Sequence, residues 1–282
     1  MLLKCVLYLR CRYVRLLISI HLIEISPMLR FALFADIHGK FLLPFKLVHH
    51  YQQITGKSID LILQCGDMGA FPSKDCMDKA TLRHAAKDHN ELGFMDDFVQ
   101  PNPQIARFLD KLNIDMLCVR GNHEDHGFLD ELERQSEQAA FTIDAYERVW
   151  VLKTGDSFVF QKGGESLKII GIGRIGDRKQ RPHGEFIQEY ERQNLRRLVK
   201  DCLKSKHDPD VLITHDKFGD SQRGYGSVEI AEVMDKLAFA YHFYGHTGEA
   251  YQQNLADNGI TQSVKIKELE FDGEGKLSEG CM

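Results

Sequence analysis

Five short stretches of the sequence place carboxylate, imidazole or amide side chains directly after apolar runs. They are Asp36-Ile37-His38-Gly39, Gly66-Asp67-Met68-Gly69, Gly121-Asn122-His123-Glu124-Asp125, Thr214-His215-Asp216 and Gly245-His246-Thr247-Gly248. Such donors suit divalent ions such as Zn²⁺, Mn²⁺ or Fe²⁺. Asp67 is placed to bridge two ions, and an ion pair can hold a hydroxide for in-line displacement at phosphorus. Each stretch alone is typical of a turn or a helix cap, but the five together predict phosphoryl chemistry.

Six apolar runs have the length of buried strands, and five of them come just before these stretches. They are Leu29–Ala35, Ile59–Cys65, Ile114–Val119, Leu167–Ile172, Val211–Thr214 and Phe239–Tyr244, and helical patterns such as Phe41–Gln53 and Glu185–Leu203 separate them. Strands that alternate with helices predict an α/β layered fold with a substantial central sheet. Ligands of α/β sheets gather where the strands end, so we expect the five stretches to meet there.

The five stretches resemble the motifs of the calcineurin-like metallophosphoesterase family. That family reads D-x-H, G-D, G-N-H-[DE], a mid-chain histidine and G-H-x-H, and the matching residues run from Asp36 to His246. The resemblance implies an α/β fold in which a two-sheet β-sandwich is flanked by helices. It implies one metallophosphoesterase domain over residues 28–282.

The resemblance also implies roles for individual residues. It implies a cofactor of two divalent metal ions, Mn, Fe or Zn, with Asp67 as the bridging ligand. Asp36 and His38 complete the first metal site, and Asn122, His215 and His246 complete the second. His123 matches the catalytic histidine of the family, which protonates the leaving oxygen or stabilises the charge of the transition state.

The last motif departs from the family pattern. Gly248 stands where the family has a second histidine, and that histidine ligates the first metal. The first site keeps Asp36, His38 and Asp67, with water or Glu249 to fill the gap. We therefore expect weaker or exchangeable metal at the first site.

Two kinds of supporting carboxylate follow the motif histidines. Glu124 or Asp125 is expected to orient His123 by accepting its second ring hydrogen, and Asp125 is the one we assign to the catalytic set. Asp216 could do the same for His215. A solvated loop acid is the alternative at each position.

Two segments could contact the substrate. Residues 171–183 follow a predicted strand and concentrate four cations, and the arginine fork matches phosphate oxygens, so we assign Arg174 to phosphate binding together with Asn122. An exposed loop without function is the alternative. Residues 71–98 could form a lid beside the metals or a solvated surface helix.

Composition limits the class of protein. The chain has 282 residues, 43% hydrophobic and 27% charged, with a net charge of −5, which fits one α/β domain and excludes disorder. Seven cysteines form no C-x-x-C pair, so a reducing compartment and a cytoplasmic location are expected. The slightly acidic balance gives no general footprint for nucleic acid, which is possible as a partner but not favoured.

Residues 1–27 differ from the rest of the chain. They carry a charge of +3 and leave the body at −8. The apolar run Leu16–Ile25 is too short and too interrupted to span ~30 Å of hydrocarbon, so no stable membrane span is expected. An extension from an early start codon is favoured over a weak amphipathic helix.

The expected function is metal-dependent hydrolysis of a phosphate ester by a hydroxide that bridges the ions, with His123 assisting the leaving group. No Asp-Arg-Gly follows the Gly-Asp motif, which disfavours a phosphoprotein substrate. The layout after Gly-Asp and before His215 is similar to the catalytic domain of RNA lariat debranching enzymes, a hint towards a diesterase. The alternatives are a phosphodiesterase or nuclease on RNA or DNA, and a non-catalytic interaction protein with a degenerate metal site.

Overall fold

A computed structural model describes residues 6–8, 29–205, 208–220, 225–270 and 276–277 of the chain.

The first of its two sheets is mixed. The strands of this sheet are β1 (Val6–Tyr8), β2 (Arg30–Phe34), β3 (Leu61–Gln64), β4 (Met116–Cys118), β5 (Ala140–Thr142) and β6 (Val149–Leu152). Their spatial order is β1-β2-β3-β4-β6-β5, with β2, β3, β4 and β6 parallel and the two edge strands antiparallel.

The second sheet repeats this arrangement. It contains β7 (Ser157–Lys162), β8 (Glu165–Ile172), β9 (Val211–Thr214), β10 (Tyr241–Tyr244), β11 (Gln252–Leu255) and β12 (Gln262–Lys265). Its order is β11-β12-β10-β9-β8-β7, and again the four inner strands are parallel and the edge strands are antiparallel. In each sheet the carboxyl ends of the four parallel inner strands therefore lie on one side of the sheet.

Helices cover the outer faces of the sheets. They are α1 (Leu42–Thr55), α2 (Lys79–Ala85), α3 (Gly93–Asp97), α4 (Pro103–Leu112), α5 (His126–Gln135), α6 (Glu189–Ser205) and α7 (Val228–Lys236), with short 3₁₀ helices at Lys74–Cys76 and His89–Leu92. Helices α1, α4 and α5 pack on the first sheet, and α6 and α7 pack on the second.

The middle layer of the core lies between the two sheets. On β2, Phe31 and Leu33 face the second sheet, whereas Ala32 and Phe34 face the helices. Successive side chains of a strand point to opposite faces, so a strand that is buried on both faces reads as a continuous apolar run. This is why the apolar runs of the sequence located six of the eight inner strands; β6 and β12 were not among the predicted runs. The expected two-sheet sandwich flanked by helices is confirmed.

The N-terminal segment is described only in part. Val6–Tyr8 pair antiparallel with residues 30–32 of β2, and the rest of the extension expected over residues 1–27 lies outside the described residues. Among the described residues, no helix is both long enough and apolar enough to cross a bilayer.

Arg174 lies inside the fold. Its side chain is 0% exposed, with Nη2 2.8 Å from Asp130 of α5 and Nε 3.1 Å from Glu191 of α6, and Nη1 donates to the carbonyl of Gly184. Arg120, also buried, pairs with Asp130 and Glu133. The expectation that Arg174 contacts phosphate is therefore wrong, because its donors already tie the loop after β8 to two helices.

We expect Arg174→Ala to lower the free energy of unfolding by roughly 3–5 kcal/mol, because it leaves the buried Glu191 carboxylate unpaired. Denaturant unfolding measures this. The control is Arg181→Ala in the same loop, which removes a guanidinium that is 50% exposed and pairs with Asp177, and it should cost under about 1 kcal/mol. If Arg174→Ala instead has wild-type stability and a raised KM for a phosphate ester, this prediction is contradicted and Arg174 is again assigned to phosphate binding.

Candidate metal centre

The predicted ligands meet at the carboxyl ends of the inner strands. Asp36, Asp67, Asn122, His215 and His246 come within a few residues after β2, β3, β4, β9 and β10. The candidate ligands form two groups, and within each group the donor atoms all lie within 4.8 Å of one another. One group is made of Asp36, His38 and Asp67, and the other of Asp67, His215 and His246. Asp67 belongs to both groups, which is the position that a bridging ligand requires.

Four of these residues have a left-handed backbone. The φ angles are +50° at Asp36, +42° at His38, +51° at Asp67 and +64° at His246. Such a conformation of a non-glycine residue costs on the order of 1–3 kcal/mol and persists only where the surroundings impose it. Here the amide of Asp36 donates to the Gly66 carbonyl, and the amide of His38 donates to the Asp67 carbonyl, each at 3.0 Å. The fold therefore concentrates strain at the predicted ligands.

The Asp67 carboxylate is held by the loop after β4. Its Oδ1 accepts the backbone N–H groups of Asn122 and His123, both at 2.8 Å. A Cβ on Gly121 would lie 2.1 Å from that oxygen, so only glycine lets the loop approach this closely. The Gly-Asn-His motif thus positions Asp67 as well as its own side chains.

His215 presents one defined nitrogen to the centre. Its Nδ1 lies 2.9 Å from the Cys65 carbonyl, which can only accept a hydrogen bond, so Nδ1 donates. Its Nε2 then faces Asn122 Oδ1 at 3.0 Å and Asp67 Oδ1 at 3.2 Å. A backbone carbonyl on one ring nitrogen, with the other nitrogen among oxygen donors, is the usual arrangement of a metal-binding histidine.

Asp216 does not orient His215. Its carboxylate accepts the backbone N–H groups of Gly176 at 3.0 Å and Gly226 at 2.7 Å. It therefore joins the loops after β8 and before α7. The Cys65 carbonyl does what the sequence assigned to Asp216.

Burial shifts the pKa values of the ligands in different directions. Burial raises the pKa of Asp36 to about 7 and lowers that of His38 to about 4. Burial alone would lower the pKa of His215, but the nearby Asp67 carboxylate outweighs it and raises the value to about 9. Burial likewise opposes ionisation of Asp67, yet His215 holds its pKa well below the usual range. Near neutral pH, His38 is therefore a neutral donor and Asp67 an ionised one, which fits a divalent ion.

His123 pairs with a carboxylate that the sequence did not single out. Its Nδ1 lies 2.8 Å from Asp78 Oδ2. The other oxygen of Asp78 accepts the N–H groups of Ala80 and Thr81 and so caps the N-terminus of α2. The hydrogen bond to Asp78 raises the pKa of His123 to about 9. Asp78 comes from residues 71–98, the segment considered as a lid or a surface helix, and no acid there was singled out from the sequence.

Neither Glu124 nor Asp125 orients His123, although one of the two was expected to do so. Glu124 is buried and accepts the N–H groups of Met68, Ala70 and Gly121 at 2.9–3.0 Å. Asp125 caps α5 by accepting the N–H of Phe128 at 3.1 Å. Both carboxylates satisfy backbone donors of the loops, so the expectation for the partner of His123 is corrected to Asp78.

A cavity of about 220 Å³ opens onto these side chains. It is lined by Asp36, His38, Asp67, Asn122, His123, Tyr225, His246, Thr247, Gly248 and Glu268. Glu268 was missed because it lies outside the five motif stretches. Glu249, expected as a stand-in ligand, is exposed and its carboxylate accepts the Thr247 hydroxyl at 3.0 Å. A larger cavity of about 340 Å³ beside α6 contains none of the predicted site residues.

Two mixed sheets whose inner parallel strands direct Asp and His donors into two groups around one shared aspartate define an α/β protein with a candidate metal centre. The family model for calcineurin-like phosphoesterases matches residues 29–250, and the chain belongs to this family. Membership implies divalent metal ions and the hydrolysis of phosphoester bonds. The candidate ligands and His123 all lie within the matched residues.

Individual relatives are distant. A lariat debranching enzyme of Arabidopsis thaliana is 23% identical over 272 residues, a match that covers 84% of this chain and 60% of the relative's length. Among solved structures, TT1561 of Thermus thermophilus matches with a TM-score of 0.48 and 15% identity over 84% of this chain and 88% of its own. GAP50, the anchor in the inner membrane complex of Plasmodium, has a TM-score of 0.47 and 12% identity over 89% of this chain and 76% of its own.

We expect metal loading to release protons. At pH 6 Asp36 and His215 both hold a proton in the metal-free protein, because their pKa values are raised to about 7 and about 9. The apparent affinity for Mn²⁺ should therefore increase with pH through this range. Calorimetric titration at pH 6 in buffers of different ionisation enthalpy measures the release. An observed enthalpy that does not depend on the buffer would contradict the prediction.

We expect Asp78→Asn to lower the pKa of His123 from about 9 towards its ordinary 6.5, as NMR titration of the metal-free protein would show. Asparagine keeps the cap of α2 and removes the charge. The pair with Asp78 stabilises the fold fully below pH 6.5, and that contribution is lost as pH rises through about 9.

The difference in unfolding free energy between wild type and Asp78→Asn should therefore be larger at about pH 6 than at about pH 9.5. Asp75→Asn, an exposed acid three residues away, is the matched control and should leave both measurements unchanged. A pH-independent difference would show that Asp78 acts only as a cap.

Proposed function

We propose that the protein is a metal-dependent phosphodiesterase that cleaves small or flexible nucleotide diesters. The observation that carries this proposal is that His123, paired with Asp78, lines the same cavity as the two ligand groups that share Asp67. A proton donor and two places for cations then face one small space. That is the set of groups that in-line displacement at phosphorus needs.

The chain's own residues divide the work. Asp36 and His38 would hold the first ion, Asn122, His215 and His246 would hold the second, and Asp67 would contribute to both sites. When bound, the two ions would supply Lewis-acid stabilisation of the phosphoryl oxygens and an activated water. The remaining steps of the mechanism belong to His123 and its partner.

His123 acts as the general acid. Its Nδ1 is engaged by Asp78 at 2.8 Å, so Nε2 is the nitrogen left to donate a proton to the leaving oxygen. With the pKa raised to about 9, the imidazole is protonated at neutral pH and is ready to donate. Such proton transfer contributes roughly 10²–10⁴ in rate.

Several features favour a diester of nucleotide type. The relative from Arabidopsis thaliana is named for debranching lariats, and no Asp-Arg-Gly follows the Gly-Asp motif as it does in phosphoprotein phosphatases. Tyr225 lies at the rim with its ring 5.0 Å from that of His246, and it is 40% exposed. An exposed aromatic face beside the metal centre suits stacking of a base. The net charge of −5 opposes tight binding of a long duplex.

The test compares p-nitrophenyl phosphate, bis-p-nitrophenyl phosphate, a linear RNA and a branched RNA, each with Mn²⁺. We expect turnover of the diesters to exceed that of the monoester. His123→Ala should lower kcat by about 10²–10⁴ with little change in bound metal. His89→Ala, which removes an exposed histidine outside the cavity, should have wild-type kcat.

Each outcome of this comparison points to a different activity. No metal-dependent turnover on any substrate would reject the phosphodiesterase and favour an interaction protein that uses the same fold. If the monoester is turned over preferentially, the proposed substrate changes from a phosphodiester to a phosphomonoester. Turnover that survives His123→Ala unchanged would remove His123 from the mechanism.

A further inference from the structure

We propose that Glu268 is a ligand of the first metal ion, in place of the histidine that Gly248 replaces. This inference rests on the proposed function, because both need the dinuclear centre. It replaces the expectation of a weak first site with a set of four protein donors, of which three lie within 4.8 Å of one another and the fourth, Glu268, lies beside His38. They are Asp36, His38, Asp67 and Glu268.

The distance to His38 fits a shared ion. Glu268 Oε1 lies 3.6 Å from His38 Nε2. Two donors that bind one ion at ~2.0–2.2 Å lie roughly 3.0–3.5 Å apart, which is close to this separation. A direct hydrogen bond would be shorter, at about 2.7–3.2 Å. The spacing of the two side chains therefore suits two ligands of one ion.

The backbone holds Glu268 at this place. The residue follows β12 and forms a parallel bridge with Ala35, the residue directly before Asp36. Next to it, the Leu269 amide points to the Asp36 carbonyl at 3.4 Å. The bridge joins the second sheet to the first directly before the D-x-H motif. The backbone of Glu268 is therefore held beside the first metal site by strand pairing.

The other acidic candidate does not reach the centre. Glu249 is exposed, bonds to the Thr247 hydroxyl and does not line the cavity, whereas Glu268 does. The position of Gly248 itself is open, since a Cβ built there meets no atom within 4 Å. A histidine would fit at 248, and in its absence the Glu268 carboxylate is the additional donor beside His38.

A carboxylate in place of a histidine changes the chemistry of the first site. The four donors are then three carboxylates and one imidazole, a harder set than two carboxylates and two imidazoles. Oxygen-rich sites suit Mn²⁺ better than Zn²⁺ relative to imidazole-rich sites. We therefore expect the first site to favour Mn²⁺, and Glu268 to be the residue that sets this preference.

The experiment measures bound metal on the full chain rather than turnover. After equilibration with Mn²⁺ and gel filtration, elemental analysis should find two ions in wild type and one in Glu268→Gln, with the affinity of the first site at least about tenfold weaker by titration of free Mn²⁺. Glu249→Gln is the matched control and should keep two ions. Circular dichroism of the metal-free variants confirms that each is folded.

A rescue variant separates ligation from a general structural effect. Adding Gly248→His to Glu268→Gln should restore two ions and shift the competition between Mn²⁺ and Zn²⁺ towards Zn²⁺. Failure of this variant to regain the second ion, together with loss in Glu268→Gln, would mean that Glu268 supports the fold of the site and would overturn the proposal.

Asp67→Asn distinguishes this inference from the proposed function. If Asp67→Asn loses metal while Glu268→Gln keeps two ions at wild-type affinity, the assignment of Glu268 is overturned and the phosphodiesterase proposal stands. If wild type itself binds fewer than two ions under these conditions, the dinuclear centre is rejected and both proposals fall.

Discussion

The buried carboxylate of Asp67 is the constraint around which the site is organised. It accepts two backbone N–H groups from the loop after β4, faces the imidazole of His215, and belongs to both groups of candidate ligands. An ionised group that is removed from water needs opposite charge and hydrogen bonds, or it takes up a proton. The neighbouring loops meet that need only if glycine stands at position 121 and the backbone of Asp67 is left-handed. The glycine at position 121 and the left-handed backbone of Asp67 are therefore both required by the buried charge of Asp67.

The two sheets provide the frame for this arrangement. Each contributes ligands from the ends of parallel strands, and the bridge between Ala35 and Glu268 joins them at the point where the ligands begin. Because the four left-handed ligand residues are each costly, the stability that holds them must come from the buried layer between the sheets. Arg174 and Arg120 add a second support by tying α5, which follows the Gly-Asn-His loop, to the loop after β8 and to α6.

Six of the eight inner strands and the donors at their ends could be predicted from the sequence, because both depend on local order. An apolar run that is buried on both faces reads as a strand, and the next polar residues necessarily lie at its end. Asp78 and Glu268 could not be found in this way. Asp78 reaches His123 from a helix cap 45 positions away in the chain, and Glu268 reaches His38 through a pairing between the two sheets. The prediction for Arg174 was wrong for the same reason, since the acids that pair with it come from α5 and α6, which a local pattern does not show.

The two residues that the sequence missed share a property that bears on how this fold varies. The motif residues are constrained by Asp67 and by strand ends, so few substitutions there are compatible with the same centre. Asp78 and Glu268 come from segments that Asp67 does not hold: the connection between β3 and α4, and the chain after β12. A carboxylate at one position of the site can therefore come from residues of different segments, because either a helix cap or a strand extension can bring it there. A histidine lost at 248 and a carboxylate present at 268 are consistent with that exchange. It follows that a missing motif residue in this fold is weak grounds for inactivity until the segments around the cavity have been searched for a donor that reaches the same ion.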